Sequence, residues 1–149
     1  MATAASSSPS PPNTAPASSV AFAYRIDANG IPQGRAQLDI QGTDGQWTTF
    51  DFEVDTGDYV PIMPQSAFGI FKLDASQGIP STLEGVDGQP INVYTFKLPV
   101  RFHGTTNQFS IPIAFSTLET PLLLGWYGFL QHFKQITFDN VQKATIFTV

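Results

Sequence analysis

Apolar and polar residues alternate along most of this chain, and short clusters of Gly, Asp, Asn and Thr interrupt the alternation. A period of two belongs to β-strands, whose side chains point to opposite faces in turn. Over Ala21 to Asp27, Phe22, Tyr24 and Ile26 share one face, and Ala28-Asn29-Gly30 follows as a turn. Over Arg35 to Gln41, Ala36, Leu38 and Ile40 share a face, while Arg35, Gln37, Asp39 and Gln41 point the other way, toward solvent. Gly42-Thr43-Asp44-Gly45 is a hairpin signal, because glycine accepts the positive φ such a turn needs. The returning strand, Trp47 to Val54, puts Phe50, Phe52 and Val54 on one side and delivers Asp55 at its end.

Pro64 suits the opening of a short helical turn that continues through Gln65 to Phe68, since the N–H it lacks would be unpaired there anyway. Phe71 to Pro80 reads as an irregular connection. Ser81 to Phe96 reads as a hairpin around Val86-Asp87-Gly88-Gln89. Tyr94, Phe96, Leu98, Val100 and Phe102 make one face of a long half-buried strand, and Gly104-Thr105-Thr106-Asn107 turns it back into Phe109, Ile111, Ile113 and Phe115. Pro99 and Pro112 cannot donate to a ladder and should face an edge or an unpaired position. Pro121 to Leu124 is a short buried strand ending at Gly125. Trp126 to Phe133 has helical spacing, with Trp126, Phe129, Leu130 and Phe133 on one stripe that core packing explains. Lys134 to Phe138, a turn at Asp139-Asn140, and Lys143 to Val149 end the chain as strands. The sum is an all-β chain of about ten short strands, closed or sandwich-like.

Composition narrows this further. The chain has 149 residues and no internal repeat, which fits one domain with room for a core. Charged residues are only 13% of the chain, whereas the chain has thirteen Phe. That leaves apolar surface for a contact such as a dimer interface. A net charge of -5, with no Lys/Arg cluster, argues against nucleic acid, whose affinity comes from neutralised phosphates. With no cysteine, neither a disulfide framework nor thiolate chemistry is expected. The longest apolar run, around Pro121 to Leu130, is too short to span a bilayer, so no membrane partner is expected. Beyond Met1, the stretch to Ser19 holds only Ala, Ser, Pro, Thr and Asn. It has neither the basic start nor the apolar run of a secretory signal, so the expected location is cytoplasmic. Residues 1–19 read as a disordered tail and 20–149 as the domain.

Candidate chemistry is sparse. His103 and His132 are the only histidines, and no Gly-x-Ser-x-Gly or His-Glu-x-x-His pattern occurs, which disfavours a serine triad or a zinc hydrolase. Asp39, Asp44 and Asp51 lack the spacing of a calcium loop, and no glycine-rich phosphate loop precedes a helix. No metal or cofactor is expected. What stands out is the strand–loop–strand Phe52-Glu53-Val54-Asp55-Thr56-Gly57-Asp58-Tyr59-Val60-Pro61-Ile62-Met63-Pro64. Alone, Asp-Thr-Gly reads as a strand-end turn. Downstream, however, lies Leu122-Leu123-Leu124-Gly125, with the two glycines 125 − 57 = 68 positions apart. Together these two stretches resemble the retropepsin-like (retroviral-type) single-domain aspartic proteases. The continuation Trp126-Tyr127-Gly128-Phe129 resembles that of bacterial-type members, which carry an extra Gly-Phe.

The resemblance implies an acid-protease closed β-barrel with one short C-terminal helix and a flap hairpin. It makes Asp55 catalytic, with Thr56 and Gly57 building the loop around it. Thr56 would hydrogen-bond across a two-fold axis, and Gly57, lacking a Cβ, would let substrate backbone approach. Gly85, Val86, Asp87 and Gly88 would form the flap, and Leu123, Leu124 and Gly125 the supporting strand. The family's chemistry needs two aspartates around one water, and this chain has one Asp-Thr-Gly. A homodimer is therefore implied, with an extended peptide added as a strand between loop and flap. Two departures matter. Asp58 stands where the family has Ala or another small residue, and its charge should disfavour ionisation of the pair and raise the upper limb of a pH–activity profile. Trp126 and Tyr59 stand where viral members have an Arg and its carboxylate partner, so Tyr59–Trp126 packing is the expected substitute. An inactive or weakly active peptide-binding or dimerisation module on the same fold is the alternative. A structural β-domain with a coincidental Asp-Thr-Gly is the third option.

Overall fold

The alternating runs build a sheet that curls until it meets itself. In the computed structural model, described for residues 18–149, the strands in chain order are β1 (Ser19–Ala23), β2 (Arg25–Ile26), β3 (Pro32–Gln33), β4 (Arg35–Gln41), β5 (Trp47–Val54), β6 (Ile62–Met63), β7 (Ile79–Glu84), β8 (Pro90–Phe102), β9 (Phe109–Ser116), β10 (Leu123–Leu124), β11 (Gln135–Asp139) and β12 (Ala144–Thr148). The main sheet has the order β4-β5-β10-β6-β9-β8-β7. β4 pairs with β8 as well, Leu38 opposite Phe102 and Ile40 opposite Val100. That extra pairing closes a near-complete ring and leaves β7 as a flank of β8. The chain thus has the all-β, barrel-like architecture its alternation implies.

One face of each alternating run fills the ring. Ala36, Leu38, Ile40, Phe52, Val100, Ile111 and Ile113 have no accessible surface, each large side chain contributing roughly 1.5–3 kcal/mol by leaving water. A second sheet, β1-β12-β11, lies against this core. Phenyl rings join the two layers: Phe147 of β12 packs on Phe102 at 5.0 Å between centroids and on Phe133 at 5.1 Å. Pro99 lies between the part of β8 paired with β7, up to Thr95, and the part paired with β4, from Val100. No neighbour on that flank asks for its missing N–H.

The expected strand over Ala21 to Asp27 is two pieces. Tyr24 donates its N–H to the Lys143 carbonyl at 2.7 Å, and the chain then leaves the sheet to form the small β2–β3 hairpin. No layer covers that hairpin, so Ile26 is 58% exposed rather than buried with Phe22. The Ala/Ser/Pro-rich stretch expected to be disordered lies, up to residue 17, outside the described residues, and β1 begins at Ser19. The turn after Pro64 is a 3-10 helix over Gln65–Phe71, and the irregular connection holds another at Ala75–Gln77.

The expected helix over Trp126 to Phe133 contracts to a tight turn and a 3-10 turn at Leu130–His132. Gly128 has φ +80 and packs against the Pro112 ring, and Phe129 lies at φ -130, ψ -75. Neither is an α-helical conformation. The stripe does what was expected of its apolar members, since Phe129 and Leu130 are buried. No helix among the described residues is long and apolar enough to cross a membrane.

Asp39 corrects the period-two reading. It faces away from Leu38 and Ile40 yet is only 5% exposed. Its carboxylate accepts from Thr49 Oγ1 at 2.7 Å and Arg101 Nε at 3.0 Å, and meets His103 Nδ1 at 2.9 Å. Arg101 in turn lies over the Trp47 ring at 4.2 Å. Burial works against the charged form, but the hydrogen bonds from Thr49, His103 and Arg101 outweigh it and hold the carboxyl below its usual range. Asp39→Ala leaves these donors unpaired and should cost about 1–3 kcal/mol of stability at neutral pH. A group with a lowered folded pKa stabilises above its unfolded value and ceases to do so as pH falls through its folded value. Urea unfolding of both proteins should therefore show the gap narrowing below about pH 4; a gap that is constant with pH would count against the charged role.

Candidate functional site

The site is made by two stretches far apart in sequence. β10 lies parallel to β5, Leu123 opposite Glu53 and Leu124 opposite Val54, and its other edge meets β6 at Ile62. The ladder continues past the strand ends. Asp55 donates its N–H to the Leu124 carbonyl at 3.1 Å, Trp126 to the Asp58 carbonyl at 2.9 Å, and Tyr127 to the Tyr59 carbonyl at 2.6 Å. Gly125 sits at the crossing. A Cβ there would lie 2.6 Å from the Val60 nitrogen and 2.8 Å from its oxygen, so only glycine allows the two backbones to come this close.

This crossing presents the Asp55 loop outward. Asp55 is partly exposed, and Thr56 and Gly57 are exposed. Asp55 Oδ1 accepts the Gly57 N–H at 3.0 Å, and the Asp58 N–H bonds the Asp55 carbonyl at 3.2 Å. The carboxylate is thereby fixed at the strand end by the loop's own backbone. Among the described residues, the Thr56 hydroxyl has no hydrogen bond within the protomer and no ion pair involves Asp55 or Asp58.

Asp58 is less comfortable. Its Oδ2 is buried without a hydrogen-bond partner. Burial pushes its carboxyl up to about 6; the Tyr59 backbone amide opposes the shift and the Asp55 charge adds to it. Tyr59 does not pack on Trp126 as expected. It stacks on Tyr127, with ring centroids 5.4 Å apart and planes 4° from parallel. The ladder bond between their backbones holds the pair in register. Tyr59, Trp126 and Tyr127 are nonetheless 64%, 53% and 47% exposed, which leaves an aromatic patch beside the Asp55 loop. The stack depends on register between segments 68 positions apart, so neither residue's neighbours in sequence reveal it.

The hairpin expected around residues 85–88 joins β7 to β8, Glu84 opposite Pro90. Gly85 donates to the Gln89 carbonyl at 2.8 Å and Gly88 to the Gly85 carbonyl at 2.9 Å, while Asp87 Oδ1 accepts the Gln89 N–H at 3.0 Å. Val86 at the tip is fully exposed. Nothing packs on the tip, but its arms are anchored. Leu83, Ile91 and Val93 share a small apolar cluster with Val60, Ile62, Ala114 and Leu123. That cluster is separate from the main core and connects the hairpin to β6, which leaves the Asp55 loop, and to β9 and β10.

No family model and no curated protein sequence matches this chain. Solved structures do. A retropepsin-like aspartic protease from Rickettsia conorii superposes with a TM-score of 0.61 at 16% identity, over 87% of this chain and 98% of the other. The EIAV protease, solved with the inhibitor HBY-793, gives a TM-score of 0.48 at 14% identity, over 67% of this chain and 88% of the other. At such identities the likeness is one of fold. The ring of strands, the β5–β10 crossing and the overlay on the rickettsial protein together show that this chain has the retropepsin-like aspartic protease fold.

Proposed function

We propose that the protein is an aspartic endopeptidase that works as a homodimer. The observation that carries this is the single Asp55-Thr56-Gly57 loop, held outward at the β5–β10 crossing of a retropepsin-like fold. Each protomer then supplies one carboxylate, and two Asp55 residues meet at the dimer axis with a water between them. Two carboxylates so close cannot both ionise easily, so they share a proton. The ionised one takes a proton from the water, whose oxygen bonds to the peptide carbonyl carbon. The protonated one gives its proton to the carbonyl oxygen. The resulting gem-diol collapses as the amide nitrogen takes a proton, the C–N bond breaks, and an acid and an amine leave. Substrate binds extended, as a strand between the Asp55 loop and the 85–88 hairpin. The small cluster of Leu83, Ile91, Val60, Ile62 and Leu123 supplies apolar walls beside that path.

A second reading has a specific observation in its favour. The buried, unpaired carboxyl of Asp58 lies in the same turn as Asp55, a burden on a catalytic pair that a peptide-binding or dimerisation module with weak catalysis does not carry. Incubation of a mixed peptide library across pH 4 to 7 separates the two. The proposal expects cleavage by the parent protein and a loss of about 10³-fold or more in Asp55→Asn, as for the loss of a group that reacts directly. Cleavage that survives the substitution would remove Asp55 from the chemistry, and a parent that cuts nothing would leave the binding module.

Asp58 gives a second test. A carboxyl with a raised folded pKa favours folding only while protonated, so its burden grows as pH rises from about 4 toward 6 and then levels off. Asp58→Asn should remove that dependence and stabilise the protein at pH 7 by about 1–2 kcal/mol, after discounting for partial solvent screening. Thermal melts at pH 4 and pH 7 read this directly; equal gains at both values would contradict it. In the active enzyme, Asp58→Ala should also lower the upper limb of the pH–activity profile, since it removes a negative charge beside Asp55.

A further inference from the structure

We propose that Asp58, Tyr59 and Tyr127 form a subsite for an arginine side chain of the bound peptide, within about three residues of the bond that Asp55 addresses. This rests on the function proposed above for Asp55 and adds a substrate class to it. The stack of Tyr59 on Tyr127 is parallel to within 4°, and the two residues are 64% and 47% exposed. An open, flat aromatic face takes another planar group. Two kinds are available in a peptide, an aromatic ring and a guanidinium.

The charges beside the stack favour the guanidinium. Asp55 and Asp58 lie within the same turn, joined by the 3.2 Å bond between their backbones. No cation offsets either one: the ion pairs among the described residues use Arg25, Arg35, Arg101 and His103, all with Asp51 or Asp39. Asp58 also has a carboxylate oxygen with no partner in the protomer. That oxygen is buried, so Asp58 acts on the guanidinium through its charge across the turn and not by a direct hydrogen bond. It does so where it is ionised, above about pH 6. A guanidinium stacks on aromatic faces, stays charged at all relevant pH and is weakly hydrated, so it brings compensation at low desolvation cost. An ammonium offers the charge without the plane, and a phenyl ring the plane without the charge. The chain's net charge of -5 favours approach of a cationic peptide at long range.

The reach follows from the chain itself. Tyr59 is four residues past Asp55 on a backbone that turns tightly at Thr56-Gly57, which places the stack within about 10 Å of the Asp55 loop, or three residues of extended peptide. The test uses equilibrium binding, so that catalysis is not needed. Labelled peptides carrying either arginine or citrulline at each of three positions on both sides of a central apolar pair are titrated at pH 7.5, where Asp58 is ionised, into the Asp55→Asn protein and followed by fluorescence anisotropy. Citrulline keeps the shape and plane and removes the charge. At one position, the arginine peptide should bind about tenfold more tightly. That preference should fall below about threefold in Asp58→Asn and in Tyr59→Leu, each made on the Asp55→Asn background. Equal affinity for arginine and citrulline at every position, or no binding of either, overturns the subsite. Because that comparison uses one folded protein, it decides the matter even if a further substitution unfolds it. A parent protein that cleaves peptides without this preference sinks the subsite and spares the endopeptidase; an arginine preference in a protein that cleaves nothing does the reverse.

Discussion

The contact on which the rest of the site depends is backbone against backbone, Gly125 on Val60. β10 has only two residues, Leu123 and Leu124, too few to persist on their own. It persists because both of its edges are occupied, β5 on one side and β6 on the other. Those neighbours are the two strands that enter and leave the Asp55 loop. The short strand therefore clamps the loop at both ends, and the three ladder bonds around it fix the Asp55 carboxylate relative to Tyr59 and Tyr127. A side chain at position 125 would have to push apart the two backbones it joins, and the loop would lose both anchors together.

Two acids, Asp39 buried and Asp58 half-buried, show how differently one fold treats the same group. Asp39 on β4 has a hydroxyl, a guanidinium and an imidazole around it, and its carboxyl is held low. Asp58 has one oxygen sealed with no partner, and its carboxyl is held high. The first arrangement adds to stability; the second subtracts from it. Unsatisfied buried polar groups are few in native proteins and gather where the structure does something other than hold itself together. Among the described side chains the others are the hydroxyls of Thr120 and Thr145, which carry no charge. Asp58 is the costly one, and it lies in the same turn as Asp55.

Much of this architecture was legible in the alternation. β4 and β5 run over the very residues the period-two pattern marks, because a half-buried sheet imposes that period on its sequence. The strands β6 and β10 are too short to show any period and were legible only through the stretches around Asp55 and Gly125. Period two assigns a residue to a face but does not say what covers that face, which is why Asp39 was expected in solvent and Ile26 in the core. The helical spacing of Trp126 to Phe133 was real as a burial pattern for Phe129 and Leu130. It failed as a backbone prediction because Gly128 takes a positive φ against Pro112, a contact between this turn and β9. The Tyr59–Tyr127 stack has the same origin. It follows from the register of β10 on β5 and β6, and register between distant segments leaves no local mark.

The same stack explains how the loop can do without an ion pair. An ion pair at this place would be screened by salt and would lose its carboxylate partner in acid. Stacked tyrosines gain by burying ring faces and by quadrupole geometry, roughly 0.5–1.5 kcal/mol beyond area, and neither term depends on protons at acid or neutral pH. If the loop works where carboxyl groups exchange protons, as proposed above, a brace of packed rings does not rest on a carboxylate's charge. The rings keep Tyr59 and Tyr127 together while Asp58, one residue away, titrates near 6. Charge at the site can then change without loosening the strands that hold it, and the negative charge left uncompensated is free to act on whatever binds.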